Sequence, residues 1–198
     1  MDAPAKLTLR EMLNLVREDF ETNDRGLSYP GFHALAVHRF GNWVAGLPRV
    51  LRAALRPVHA VCYVWVRNVY GIELPWSTRV GRRVRISHQS GIVIHPRSVI
   101  GDDCLIRQNV TIGAVSMQRI GGAPKLEKGV EVGAGAVIVG AVIIGEGTRV
   151  GPNSVVMTSV PPGSMVVVPP PRVIQPRVPL GVPRARRRAE AEREVGAS

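Results

Sequence analysis

An aliphatic residue returns at every sixth position through the second half of the chain, and this beat limits the fold more than any other feature. The anchors are Leu74, Val80 and Ile86, then Ile94, Ile100, Ile106 and Ile112, then Leu126, Val132, Ile138, Ile144, Val150 and Val156. The residue four places on is usually small or β-branched, as at Thr78, Val84, Ser90, Ser98, Cys104, Val110, Val130, Ala136, Val142, Thr148, Ser154 and Val160. Glycine commonly follows the anchor, as in Ile100-Gly101, Ile144-Gly145 and Val150-Gly151. Six residues is neither a helical period nor the two-residue period of a strand. It suits one short strand and one turn per hexad, with coils stacked so that the anchors form a continuous apolar column. Glycine supplies turn conformations that a Cβ resists. The pattern therefore predicts a hexapeptide-type parallel β-helix and excludes a coiled coil or an alternating βαβ sheet. Cys104 is expected to pack inward rather than act as a nucleophile.

The beat fails twice. Between Ile86 and Ile94 the spacing is eight, an insertion of two residues around His88-Gln89-Ser90-Gly91. Between Ile112 and Leu126 it is fourteen, an insertion of eight within Ala114 to Lys125. Packing alone favours an unbroken solenoid, so insertions tend to build loops that carry function, and the second is long enough to extrude as a lid.

The first seventy residues read as helices. Thr8 and Glu11 have the spacing of a capping box, and Met12, Leu13, Leu15, Val16 and Phe20 follow at helical intervals. Asn23-Asp24-Arg25-Gly26 breaks that helix at about residue 21. A second helix is expected from Pro30 toward Trp43, and a third from about Pro48 to Tyr70, bent or split at Pro57, which cannot donate a backbone hydrogen bond. His33, His38 and His59 lie on these helices and are read as surface or satisfied packing residues.

Composition narrows the function classes. With 198 residues and 45% hydrophobic side chains, the chain can build a core and is not wholly disordered. No run of about 20 apolar residues predicts a membrane span, and the amino terminus lacks the features of a secretory signal. Two cysteines make a poor disulfide framework, so a cytoplasmic location is expected. A net charge of +11 would attract a polyanion or a phosphate-bearing cofactor. Its visible cluster, Arg184, Arg186, Arg187 and Arg188, is followed by Glu190, Glu192 and Glu194, which suggests a solvated tail. At 5% aromatic residues a base-stacking surface is not expected, so neither nucleic acid nor membrane is a predicted partner.

The runs His88-Gln89-Ser90-Gly91-Ile92-Val93-Ile94, Ile100-Gly101-Asp102-Asp103 and Gln108-Asn109-Val110-Thr111-Ile112-Gly113 are followed by Pro124-Lys125, Gly133-Ala134-Gly135-Ala136 and Gly151-Pro152-Asn153-Ser154. Together these stretches resemble the serine O-acetyltransferases. Gly31-Phe32-His33-Ala34-Leu35 and Arg39-Phe40-Gly41-Asn42-Trp43 resemble that family's last amino-terminal helices. The likeness covers roughly residues 30 to 175. It implies a left-handed parallel β-helix at residues 72–175 after a small helical domain at 1–71, while the Pro/Arg-rich tail at 176–198 departs from the family. It also implies transfer of acetyl from acetyl-CoA to a hydroxyl, most simply that of L-serine on the way to cysteine, with no metal.

By the same resemblance His88 is the general base and Glu73, fifteen residues upstream, the carboxylate that orients it. The chemistry needs such a pair. An alcohol is a weak nucleophile, an imidazole with an ordinary pKa of about 6.5 can take its proton, and a carboxylate on the other ring nitrogen fixes the tautomer. His95, one hexad on, is read as a surface or subunit-contact residue. Acetyl-CoA is expected along Gly113 and Ala114, then Gly133 and Ala134, with Lys125 and Arg149 meeting its phosphates.

The acceptor side departs from the family. Ser87 stands where the family has Asp before the catalytic histidine, and Gly122-Ala123 stands where an Arg-His pair precedes Pro-Lys. The family's helical Asp-Pro has only Asp24 as a loose counterpart. A zwitterion needs charged partners, so Arg107, Gln108 or Arg119 would have to rebuild the site beside Ser87. A sugar or other small-molecule hydroxyl is the alternative acceptor. A metal-dependent hydratase of this solenoid type requires three histidines, and the repeat holds only His88 and His95. A silent scaffold and a nucleic-acid binder are weaker readings. The tail lacks the terminal Ile used to dock cysteine synthase, so that partner is not expected. The short helical front suggests a homotrimer, with a dimer of trimers second.

Overall fold

The computed structural model describes residues 7–114, 122–170 and 172–173, and its first element begins at the expected cap. Helix α1 spans Leu9–Thr22: Glu11 N–H donates to Thr8 Oγ1 at 3.2 Å while Thr8 N–H donates to Glu11 Oε2 at 2.7 Å. It ends where Asp24 and Arg25 turn to φ +60° and +52°. Helix α2 spans Pro30–Gly46, with proline where a missing N–H costs nothing. Helix α3 spans Arg49–Tyr70 and closes on Gly71 in the left-handed conformation at φ +64°. Pro57 does not split α3. It and Ala53, whose carbonyl loses its donor, are exposed, so water can replace the missing bond.

The remaining described strands are two or three residues long: β1 (Ile72–Glu73), β2 (Arg79–Val80), β3 (Arg85–Ser87), β4 (Ile92–Ile94), β5 (Val99–Ile100), β6 (Leu105–Arg107) and β7 (Thr111–Gly113). Then follow β8 (Lys125–Leu126), β9 (Glu131–Val132), β10 (Val137–Val139), β11 (Ile143–Ile144), β12 (Arg149–Val150), β13 (Val155–Val156) and β14 (Met165–Val166). Every third strand pairs in parallel, except that β14 follows β12 because the second face ends in a single Ile144–Val160 bridge, giving three faces: β1-β4-β7-β10-β13, β2-β5-β8-β11 and β3-β6-β9-β12-β14. Aligned anchors such as Ile94 and Ile112, or Ile138 and Val156, lie one coil of eighteen residues apart. Both insertions leave the ladder intact, since Ile100 still aligns with Leu126 and Ile86 with Ile106. The chain is thus a three-sided parallel solenoid preceded by helices, and helices and solenoid belong to one unit that runs to Val168.

Twelve of the anchors are buried, and Val80 packs partly against the same core. The four-residue rule holds from Thr78 to Ser154 with one correction: Ser90 is exposed, and Ile92, fully buried, fills its inward slot. The two extra residues push Ser90 onto the corner. Cys104 packs inward as expected; its Sγ lies 3.1 Å from the Glu127 carbonyl, and burial pushes its thiol pKa up to about 11.

The helices cover the first coil through buried polar groups. The Arg39 guanidinium donates to Asp19 Oδ2 at 2.9 Å and Oδ1 at 3.3 Å, and also to the Val80 (2.7 Å) and Gly81 (2.5 Å) carbonyls. Burial raises the pKa of Asp19, and Arg39 opposes that rise. Asn23 accepts from Ile86 N–H at 3.2 Å and donates to the Val84 carbonyl at 3.3 Å. His33 Nδ1 bonds the Tyr70 hydroxyl at 2.9 Å, and His38 Nδ1 donates to the Pro75 carbonyl at 3.0 Å, so both are satisfied as expected. His59 is not: it is buried, yet its Nε2 has no hydrogen-bond partner. At the far end, Pro161 and Pro162 lie against Gly145, and Val160 bridges to Ile144.

Candidate active site

The two-residue fault builds an outward corner between β3 and β4. His88 follows β3 directly at φ +67°, and Ser90 and Gly91 also have positive φ, at +82° and +68°. A histidine tolerates this region better than a β-branched residue, and three such residues in four turn the chain sharply outward. The corner is tied to its neighbours by Ser90 N–H to the Tyr70 carbonyl (2.8 Å) and Asn109 N–H to the Ser90 carbonyl (2.9 Å). His88 and Gln89 are exposed, so the imidazole is available to solvent rather than packed in the solenoid.

Beside it, Ser87 aligns with Arg107 on the third face, and Gln108 begins the equivalent corner one coil on. Gln108 Oε1 is enclosed and has no partner among the described residues, while its backbone carbonyl accepts from Gly135 N–H at 3.0 Å. Glu73 lies half-buried on the first face, aligned with Val93. No hydrogen bond or ion pair joins it to His88 among the described residues. Its charge reaches Tyr63 on α3, whose pKa rises through burial and then through Glu73. Sequence reasoning missed Tyr63, because nothing in the helical pattern signals a strand-borne carboxylate beside it.

The expected cofactor residues fall on two corners. Gly133 and Ala134 continue the His88–Gln108 edge, where Asn153 N–H donates to the Ala134 carbonyl at 2.9 Å. A Cβ on Gly133 would lie 2.7 Å from Pro152 N, so coil stacking alone requires glycine there. Gly113 differs. Among the described residues an added Cβ would meet only Thr111 Cγ2 at 3.8 Å, and no positive φ demands glycine, so none of them fills the space beside it. Gly113 and Ala114 end the first face, and Lys125 starts the second after the long insertion. Lys125 Nζ pairs with Glu127 at 3.2 Å, and Arg149 Nε on the third face with Glu131 at 3.5 Å; both pairs are largely exposed and weak. One chain therefore gathers Ser87, His88, Arg107, Gln108, Gly133 and Ala134 along one edge, and leaves Gly113, Ala114 and Lys125 at the next.

His95 Nδ1 accepts from Arg97 N–H at 3.2 Å, a local turn contact. Arg119, most of the second insertion and the tail at 176–198 lie outside the described residues. Among the described residues no group of three or more His, Cys, Asp or Glu side chains is placed to hold a metal, and no helix is long and apolar enough to cross a membrane.

Residues 123–157 match the bacterial transferase hexapeptide family (six repeats). The soybean serine acetyltransferase apoenzyme superposes with a TM-score of 0.68 at 30% identity, over 82% of this chain and 69% of that one. This chain belongs to the serine acetyltransferase family. The serine acetyltransferase of Neisseria gonorrhoeae, solved in complex with serine, is another structural relative of the family, at TM-score 0.67 and 26% identity over 81% of this chain and 68% of that one. In sequence, the serine acetyltransferase of Synechococcus elongatus is 38% identical over 120 residues, 61% of this chain and 47% of the relative. That of Mycobacterium tuberculosis is 36% identical over 122 residues, 60% of this chain and 49% of the relative. The chain spans about half the length of these curated family members or less.

Proposed function

We propose that this chain moves the acetyl group of acetyl-CoA to the hydroxyl of L-serine, yielding O-acetyl-L-serine and free CoA for cysteine synthesis in the cytoplasm. The observation that carries the proposal is His88, an exposed imidazole at the one corner where two residues break the coil. Family membership and the solved serine complex of a relative support serine as acceptor.

In this reading a neutral His88 accepts the serine hydroxyl proton as the oxygen attacks the thioester carbonyl carbon. The carbon–sulfur bond then breaks, and the imidazolium returns the proton to the departing thiolate. Glu73, which makes no bond to His88 in the single chain, is the carboxylate assigned to orient the ring and stabilise its charged form once the site is assembled, as carboxylates do in related dyads. Arg107 faces the serine carboxylate, and Ser87 and Gln108 supply further polar contacts. The open side of Gly113 suits close approach of the pantetheine arm, with Ala114, Gly133 and Ala134 along the same groove. Lys125 and Arg149 exchange their exposed carboxylate partners for the cofactor's phosphates. These groups occupy two corners of one chain, so the complete site is a groove between protomers of a homotrimer, which is the assembly proposed here.

Thiol release provides the test. The purified chain is mixed with acetyl-CoA and L-serine, and free CoA is followed against a panel of sugars. Serine-dependent release, reduced about 10²–10⁴-fold by His88→Ala, is the expected result. Turnover that survives this substitution removes His88 from the reaction, and release driven by a sugar alone replaces the acceptor.

A further inference from the structure

A cavity of about 540 Å³ opens between α2, α3 and the β1–β2 turn, and no residue assigned to acetyl transfer lines it. The volume falls within the range of small-molecule sites. Arg52, Arg56, His59 and Tyr63 reach it from α3, and Val44 and Trp76 wall it. Among the described residues its lining holds two arginines and no carboxylate.

Arg52 and Arg56 stand one helical turn apart and share a face. Arg52 spends one N–H on the Ala45 carbonyl at 3.3 Å, and among the described residues neither arginine forms an ion pair. Two guanidiniums held without a counter-charge repel each other until an anion joins them, and their forked donors fit carboxylate or phosphate oxygens. The second observation is His59. It is only 8% exposed, yet Nε2 is sealed at the Gly41 wall of the cavity with no partner. Sealed against Gly41, that nitrogen is out of a ligand's reach, and His59 serves as a fixed wall of the cavity. Trp76 and Val44 offer an apolar surface to whatever carries the charge.

We propose that this cavity binds a small organic anion, a carboxylate or phosphomonoester head group on an aromatic body. Arg52 and Arg56 grip the head group, His59 and Tyr63 bound its polar side, and Trp76 and Val44 enclose the ring. The site is independent of the acetyl-transfer proposal, since no residue is shared.

Calorimetric titration of the full chain with phenyl phosphate and with phenylacetate tests it, with benzyl alcohol as the neutral counterpart. The expected result is saturable binding of at least one anion, one per chain, and none of the alcohol; the anion that binds identifies the head group. The double variant Arg52→Gln/Arg56→Gln should weaken binding on the order of tenfold or more. Ala45→Phe, which fills the cavity, should abolish it, and the double variant alone decides if the filled protein does not fold. Failure of both anions to bind overturns the proposal. So does binding unaffected by the arginine substitutions, or benzyl alcohol binding as tightly as the anions.

Discussion

Acidification should loosen the helical cap through one imidazole. His38 is fully enclosed between Pro75, whose carbonyl accepts its Nδ1–H at 3.0 Å, and Asn42, whose amide lies 2.9 Å from Nε2. These partners fit the neutral ring. Burial, reinforced by the adjacent Arg39 charge, pushes its pKa down to about 3. The folded value lies below that of the unfolded chain, so the unfolded chain takes up the proton first. The stabilising effect is full above a pH of about 6.5 and is lost as pH falls toward 3. Between pH of about 8 and about 5 the loss amounts to about 2 kcal/mol. Urea unfolding followed by tryptophan fluorescence at both pH values, on the native chain and His38→Gln, measures it. Gln keeps an N–H for Pro75 but cannot take a proton, so its stability should change less by that amount. His59, lowered in the same direction by burial, and Asp19, raised by burial, are present in both proteins and cancel. Equal acid sensitivity of the two proteins would refute the assignment.

Other perturbations have defined outcomes. Arg39→Ala strands Asp19 and frees the Val80 and Gly81 carbonyls, so urea unfolding should show a loss of about 3–5 kcal/mol. Gly31→Ala drives a Cβ into the Ile86 carbonyl and should destabilise by about 1–3 kcal/mol or more. Gly147→Ala meets nothing within 4 Å and carries only the left-handed backbone penalty at φ +66°, about 1 kcal/mol, so thermal melts should rank it milder than Gly31→Ala. Gly113→Ala should leave stability unchanged while raising KM for acetyl-CoA, on the order of tenfold, because no described residue crowds its Cβ, which projects into the proposed groove.

The solenoid was legible because its signal is periodic and covalently local: each anchor from Leu74 to Val156 faces the column because six residues turn one corner. The same arithmetic misplaced Ser90: the eight-residue spacing marks a two-residue insertion but not on which side of Ser90 it falls, and the inward slot moves to Ile92. The capping box at Thr8 and Glu11 was readable from adjacent chemistry. The Asp19–Arg39 pair was not, as its partners are twenty residues apart on helices whose relative placement no pattern encodes. His59 looked like an ordinary packing residue, and only the tertiary fold leaves its Nε2 without a partner. At the site, the break in the beat located the exposed corner bearing His88, whereas the separation of Gly113 from Gly133 onto different corners depends on how three faces wind.

Prolines 161 and 162 form one corner of the last described coil in a structure whose rungs otherwise touch only the rung above and the rung below. A proline offers no amide hydrogen, so a further strand could not simply dock there and extend the column. The opposite end is sealed by helices. Such a body has helices at one end, a proline corner at the other and a repetitive middle, which makes its height a parameter rather than a constant. Splicing in a duplicate of the eighteen-residue module ending at Val156, upstream of the proline corner, should lengthen the prism by one storey without disturbing either end.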